Sequence, residues 1–362
     1  MFGSAKYGVL LCAILATVAG AQARPAMPRY DHIFVIIDEN KSADAIIGNK
    51  AAPEINSLAK EYGLATRYYA VSHPSEPNYI ALVGGDTFGI ADDDAYYCKP
   101  GMRAPGCGQS GYPTYVDHTI DAPNLAQQLD GLGISWKGYF ESLPQPGSPA
   151  YIWPTPKQPV NGVAYPLYAV KHNGFMNFKS VQDDPRRAQK IVGFDALYRD
   201  IAGGTLPHFA YIVPNLCNDM HGVYGHDAPS DCSDTDGLIT SGDQAIKQIV
   251  DKIMHSAAWL EAGNAAIVIT FDESDDDRPD IRATGCCGSG AHEPGSPGGG
   301  WVATIVATNH GPRHLIDATP YNHYSLLRTI EAGLGIHRFV GHAADIKKGV
   351  VSMTPLFAVA KQ

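Results

Sequence analysis

Four short stretches of this chain carry side chains that could do chemistry together: Asp38-Glu39-Asn40, Ser75 with Asn78, Asn218-Asp219 with His221, and Asp272-Glu273. The second lies in His73-Pro-Ser-Glu-Pro-Asn-Tyr-Ile-Ala-Leu-Val-Gly-Gly85, where a Pro-Ser-x-Pro turn runs into a short helical pattern closed by two glycines. Pro77 suits the first turn of a helix, where its missing N–H would have had no partner. Ser75 therefore sits at or just before a helix N-terminus, where free N–H groups and the positive dipole end favour an anion. A serine there serves either as the helix cap or as a nucleophile whose alkoxide the dipole and a metal stabilise. Glu39, Asn40, Asp272 and Glu273 are hard oxygen donors, suited to Mg²⁺, Ca²⁺ or Mn²⁺ rather than to a soft-ligand zinc site.

These residues can act together only if the fold converges them. His32 to Ile37 is an unbroken apolar run rich in β-branched residues, typical of a strand buried on both faces of a parallel sheet. Similar runs at Leu64–Val71, Ile134–Phe140, His208–Val213, Ala265–Phe271 and Trp301–Thr308 read as strands. Helical patterns fall between them, at Pro53–Tyr62, Asn124–Leu132, Phe194–Ile201, Gly242–Leu260 and Tyr321–Leu334. The alternation implies an α/β fold with a mostly parallel central sheet and helices on both faces. All four polar stretches follow strands, and open α/β sheets bind their ligands at the carboxyl edge. Residues 86–121 and 142–166 lack periodicity and read as long inserted loops around such a site.

The same segments resemble the signatures of the secreted acid phosphatase/phospholipase C phosphoesterases of the alkaline-phosphatase superfamily. The resemblance rests on Asp38-Glu-Asn-Lys-Ser42, His73 to Gly85, Lys171-His-Asn173, Pro214-Asn-Leu-Cys-Asn-Asp-Met-His221, Phe271-Asp-Glu273 and Tyr321 to Glu331. In order and spacing it spans roughly residues 30–335. It implies Ser75 as the nucleophile that takes the phosphoryl group, and Glu39, Asn40, Asp272 and Glu273 with Ser75 as the metal ligands. It implies Asn78 as a donor to a phosphoryl oxygen and His172, His221 and His323 as phosphate-pocket histidines. Asp219, His221 and His292 fall where a second metal or the phosphate is held. Ser274 follows Asp272-Glu273 where many relatives carry a histidine, which favours one divalent cation over a two-zinc centre.

Length and composition frame this reading. The chain has 362 residues and a formal net charge of −10, with no basic stripe of the kind that marks a nucleic-acid binder. Residues 1–21 have the charged start, short apolar core and small-residue cleavage site of a secretory signal, with a second acceptable cut after residue 23. The apolar run is too short to span a bilayer and gives no membrane anchor. The phosphoesterase domain is placed at 30–340, and the chain is expected to be secreted or periplasmic. Six of the seven cysteines lie beyond the signal, an even number that suits disulfides in an exported chain. Short loops favour Cys98–Cys107 and Cys217–Cys232, leaving Cys286 and Cys287 as an adjacent pair. Asp92-Asp-Asp94 and Asp275-Asp-Asp277 read as solvated loops or, less simply, metal sites. The expected function is a metal-dependent acid phosphatase acting on small phosphate monoesters through a phosphoserine. The alternatives are a phospholipase C-type phosphodiesterase and an exported binding protein without catalysis. Oligomeric state has no signal in the sequence.

Overall fold

Seven residues, His32–Asp38, form strand β1 at the middle of a nine-stranded sheet in the computed structural model, which describes residues 26–93, 117–223, 228–275, 278–290 and 298–358. The other strands are β2 (Gly63–Tyr69), β3 (Trp136–Phe140), β4 (Ile191–Val192), β5 (Phe209–Val213), β6 (Ala265–Phe271), β7 (Trp301–Thr308), β8 (Leu315–Asp317) and β9 (Tyr321–Asn322). Their spatial order is β8-β2-β7-β6-β1-β5-β3-β4, with β9 beside the end of β2. β1 pairs in parallel with β5 and β6, β3 with β4 and β5, and β2 with β8 and β9. Only β7 runs against its neighbours, pairing antiparallel with both β2 and β6. All the other strands therefore point the same way, and β1, β2, β3, β5 and β6 deliver their carboxyl ends to one edge.

The central strands are buried along almost their whole length, which requires cover on both faces. Helices α1 (Pro53–Glu61) and α5 (Thr235–Met254) pack on each other, as do α2 (Ser75–Gly84) and α6 (His323–Gly333). Helices α3 (Leu125–Gly131) and α4 (Phe194–Gly203) complete the alternation. Local chemistry sets the boundaries. Asn124 accepts from the amide of Gln127, and Asp234 from that of Gly237, so these two residues cap α3 and α5. The second cap starts α5 seven residues before the expected Gly242.

All ten residues of α2 are buried, and one glycine explains how a neighbour comes so close. A Cβ on Gly174 would lie 2.1 Å from the carbonyl oxygen of Tyr79. With no side chain there, the turns at Val170–His172 and Gly174–Asn177 lie flat against α2. Within residues 142–166 the chain forms a strand at Ile152–Trp153, which pairs with Tyr168–Ala169. Disulfides join Cys217 to Cys232 and Cys286 to Cys287. The signal segment, the Cys98–Cys107 pair, most of the 86–121 loop and His292 lie outside the described residues. No helix among the described residues is long and apolar enough to cross a membrane.

Candidate active site

Ser75 is the first residue of α2, and its hydroxyl makes no cap bond to its own helix. The cap comes from elsewhere: Asp93 Oδ1 accepts from the amide of Glu76 at 2.9 Å. Ser75 Oγ is thereby left to face the sheet edge. It lies 3.0 Å from Glu39 Oε2 and 3.2 Å from Glu273 Oε1, so its O–H can donate to either carboxylate. Lys171 Nζ approaches the same oxygen at 3.5 Å. Ser75 is 1% exposed, and Glu39, Asp272 and Glu273 are equally enclosed.

Strand ends position the carboxylates. The ladder between β1 and β6 runs on past the paired Asp38 and Phe271, because the Asp272 amide donates to the Asp38 carbonyl at 3.0 Å. This sets Glu39 and Asn40 beside Asp272 and Glu273. Asn40 adopts a left-handed conformation, φ 51°, and its amide donates to Asp272 Oδ1 at 3.0 Å. Asparagine tolerates that region better than most residues. Next to it, the Glu39 amide donates to the Asp219 carbonyl at 2.6 Å, tying the end of β1 to the loop after β5. That loop holds a second left-handed residue, Met220 at φ 73°, whose carbonyl accepts from Lys41 Nζ at 3.0 Å. A buried methionine in this conformation stores strain of the kind that gathers at functional sites.

His172 lies between two acids, with Nε2 2.9 Å from Glu39 Oε1 and Nδ1 3.2 Å from Asp219 Oδ2. Burial alone would depress its pKa, but the Glu39 and Asp219 carboxylates outweigh burial and push it up to about 9. Burial likewise works to raise Glu39, yet His172, Lys171 and His221 hold that carboxyl well below the usual range. His221 behaves in the opposite way. Burial, and then the Lys171 ammonium, push its ring down to about 4. Its Nδ1 lies 2.7 Å from the Gly222 carbonyl and must donate there, so Nε2 carries the lone pair that accepts from Lys171 at 3.3 Å. Near neutrality His172 is therefore charged and His221 neutral, so the two rings carry one positive charge between them.

The acids themselves point to a cation. Burial, then Glu39 and Glu273, raise the Asp272 pKa well above its ordinary value. Burial also pushes Glu273 up to about 7, against the pull of His73, whose Nδ1 lies 2.6 Å from Glu273 Oε2. Buried carboxylates this crowded need a positive charge among them. Asn40 Oδ1 and Asp272 Oδ2 are buried with no hydrogen-bond partner. Such unpaired acceptors are costly unless something binds them. The donor set of Glu39, Asn40, Asp272, Glu273 and Ser75 therefore fits a hard divalent ion. Glu39 also belongs to a mixed set with His172 and His221, whose ligand atoms lie within 4.8 Å of one another.

Two residues expected at the phosphate are placed otherwise. The Asn78 amide is consumed by the turn before Ser75. Its Oδ1 accepts from the amides of Val71 and Ser72, and its Nδ2 donates to the carbonyls of Ser72 and Pro74. No N–H of that side chain is left for a phosphoryl oxygen. His323 is fully buried, with Nδ1 3.0 Å from the Tyr68 hydroxyl and Nε2 2.6 Å from the Asp272 carbonyl. Burial pushes its pKa down to about 4, and it props the Asp272 backbone from beneath. Asp219 supports His172 and takes the amide of His221 at 2.8 Å. Lys171, Asp93 and His73 were missed as functional residues. Lys171 is adjacent to His172 in sequence, and a short turn aims both inward. Asp93 sits in an acidic run that reads as solvated. Glu76, Asp92 and His118 form a second group that could hold a metal ion.

A family model described as the phosphoesterase family matches residues 49–337. The chain belongs to the phosphoesterase family. Membership assigns it to the phosphoric ester hydrolases. It is 31% identical over 276 residues to a phosphatidylinositol-3-phosphatase of Mycobacterium tuberculosis, covering 75% of this chain and 74% of that protein. It is 28% identical to a phosphate-repressible acid phosphatase of Penicillium chrysogenum over 290 residues, 78% of this chain but only 54% of the longer fungal protein. Among solved structures, a protein of the alkaline phosphatase superfamily from Vibrio parahaemolyticus superimposes with a TM-score of 0.52 at 11% identity, covering 86% of this chain and 68% of that one. At that identity the likeness concerns the fold alone.

Proposed function

We propose that this phosphoesterase is an exported, metal-dependent acid phosphatase that hydrolyses phosphate monoesters through a phosphoserine on Ser75. The observation that carries the reading is the Ser75 hydroxyl, held between Glu39, Glu273 and Lys171 at a helix start. Glu39, Asn40, Asp272 and Glu273 would hold one divalent ion, Mg²⁺, Ca²⁺ or Mn²⁺ in preference to Zn²⁺. Such an ion supplies Lewis-acid stabilisation of oxyanion charge.

The chain's own groups account for the remaining work. Glu39, kept ionised by His172, helps orient the Ser75 hydroxyl, and Glu273, 3.2 Å from Oγ with its carboxyl pushed up to about 7, is the acceptor in line for its proton. Ser75 Oγ attacks phosphorus and the ester oxygen leaves opposite. The dipole at the start of α2 and the Lys171 ammonium face the developing negative charge. Attack of water on phosphorus then releases phosphate, and the proton held on Glu273 returns to Ser75 Oγ, while His221 Nε2 accepts from Lys171 and helps hold that ammonium in place. The acid-phosphatase reading is supported by the similarity to the acid phosphatase of Penicillium chrysogenum.

The test is hydrolysis of p-nitrophenyl phosphate by the wild type and Ser75→Ala with divalent cation present, alongside phosphatidylcholine hydrolysis. A loss of at least about 10³-fold in kcat for Ser75→Ala is expected, with ³²P trapped on Ser75 after an acid quench of the wild type. Retained activity in Ser75→Ala removes the nucleophile. Preferential turnover of phosphatidylcholine replaces monoesterase by phospholipase.

A further inference from the structure

We propose that Lys171 is a further catalytic residue of this site and that Asp93 is its positioning residue. The inference rests on the reading of Ser75 as nucleophile. Among the described residues, Lys171 Nζ has three polar neighbours: Ser75 Oγ at 3.5 Å, His221 Nε2 at 3.3 Å and Asp93 Oδ2 at 2.9 Å. The first is the reacting atom. The third is the only one of the three that carries a counter-charge, and it determines where the ammonium rests.

Asp93 makes two bonds that together define a geometry. Oδ1 accepts from the Glu76 amide in the first turn of α2, and Oδ2 pairs with Lys171. One carboxylate thus spans the nucleophile's helix and the turn at Val170–His172. Its own backbone is held too, since the Tyr151 hydroxyl donates to the Asp93 carbonyl at 3.2 Å. Through the Glu76 amide, Asp93 fixes the first turn of α2 beside the Ser75 hydroxyl. By pairing with Lys171, it sets a cation beside that same hydroxyl. A cation fixed before the reaction stabilises developing charge without the cost of reorganising solvent. A lysine without such a partner would pay rotamer entropy to stay near Ser75.

The pair also separates two kinds of positive charge. The oxygen ligands lie on the Glu39, Asp272 and Glu273 side of Ser75, whereas Lys171 reaches it from the turn that Gly174 lets close on α2. A phosphoryl group on Oγ would then have the Lys171 ammonium beside it.

The experiment is a double-mutant cycle on p-nitrophenyl phosphate at saturating divalent cation, with Ser75→Ala as the control and a urea unfolding midpoint for every variant. Lys171→Met is expected to lower kcat by about 10²- to 10³-fold, and Lys171→Arg to retain most of what is lost because the charge persists. Asp93→Asn is expected to lower kcat by roughly tenfold with KM changed less than about twofold, as for an interaction felt mainly in the transition state. Asp93→Asn with Lys171→Met should be no slower than Lys171→Met alone, because Asp93 acts through the lysine. Asp93→Glu, which keeps the charge on a longer stem, provides the same comparison if the asparagine variant does not fold. Multiplied losses in the double variant overturn the inference, as does an unchanged kcat in Asp93→Asn. An active Ser75→Ala would instead show that the nucleophile assignment itself is wrong.

Discussion

Glu39 reaches Ser75 with one carboxylate oxygen, at 3.0 Å, and the His172 ring with the other, at 2.9 Å. A single buried acid thus joins the Ser75 hydroxyl to an imidazole that its surroundings keep protonated. The ion pair does not neutralise the site, since Asp272 and Glu273 remain, but it ensures that the acid touching Ser75 is always an acceptor.

Replacing His172 should therefore be costly even before activity is considered. His172→Gln leaves Glu39 and Asp219 buried without their cation, a loss of about 3–5 kcal/mol. The sign of the pH effect follows from a folded pKa of about 9 against an ordinary 6.5. The stabilisation is fully present below about pH 6.5 and disappears as pH rises through 9, amounting to about 3 kcal/mol. Urea unfolding in chelator from pH 6 to 10 measures it. Parallel curves for the wild type and His172→Gln would remove the linkage.

Metal and stability should trade places at Asp272. In chelator the buried acids must either repel one another or hold protons, and Asp272→Asn removes one of these acids while its side-chain oxygen still accepts from Asn40. The variant is expected to melt above the chelated wild type. Added divalent cation should then raise the wild type by about 2.7 kcal/mol at a hundredfold excess over Kd and leave the variant unmoved. An equal metal response in both proteins would place the ion elsewhere, with Glu76, Asp92 and His118 as the next set to mutate.

Asn78 should prove structural in its direct effect. Asn78→Ala orphans the amides of Val71 and Ser72 in a buried turn, at about 1–3 kcal/mol for each unsatisfied group. Asn78→Asp keeps the acceptor but sets a carboxylate oxygen against the carbonyls of Ser72 and Pro74, so it should be destabilised as well. Both are read from unfolding midpoints. Normal stability combined with a raised KM would return Asn78 to the phosphate.

Glu331 offers a test remote from any metal ligand. It is fully buried in α6, accepts from the Val340 amide at 2.9 Å, and burial pushes its pKa up to about 8 from an ordinary 4.5. Its contribution is fully present below about pH 4.5 and is lost as pH rises toward 8, a change of about 5 kcal/mol at most. Glu331→Gln should flatten that part of the stability profile. An unchanged slope between about pH 4.5 and 8 would show that Glu331 ionises freely in the fold.

Much of this architecture was legible in the chain. β1, β6 and β7 announce themselves as apolar β-branched runs, and the polar residues at the ends of β1 and β6 betray the working edge. The direction of β7 was not legible, because a strand buried on both faces shows the same run whichever way it points. The carboxylates beside Ser75 could be anticipated from their places after strands, and the Cys217–Cys232 bridge from its short loop. Asn78 illustrates the limit: its type suits a phosphate ligand, yet the turn that delivers Ser75 uses all its hydrogen bonds. Asp93 illustrates the reverse. Nothing in an acidic run says which aspartate turns inward, since that depends on a Glu76 amide and a Lys171 ammonium brought there by separate segments.

The reversed direction of β7 shapes how the rim of the site can be built. The chain leaves the working edge after Glu273 and re-enters the sheet at Trp301, which pairs with Tyr69 at the end of β2. The Ser274 amide donates to the Gly299 carbonyl at 2.9 Å and closes the base of this excursion. An excursion that departs and returns at one edge behaves like an appendage clipped to the sheet. Residues can be added to it or removed from it without shifting a strand register, so this segment is free to diverge while the carboxylates at the strand ends stay put.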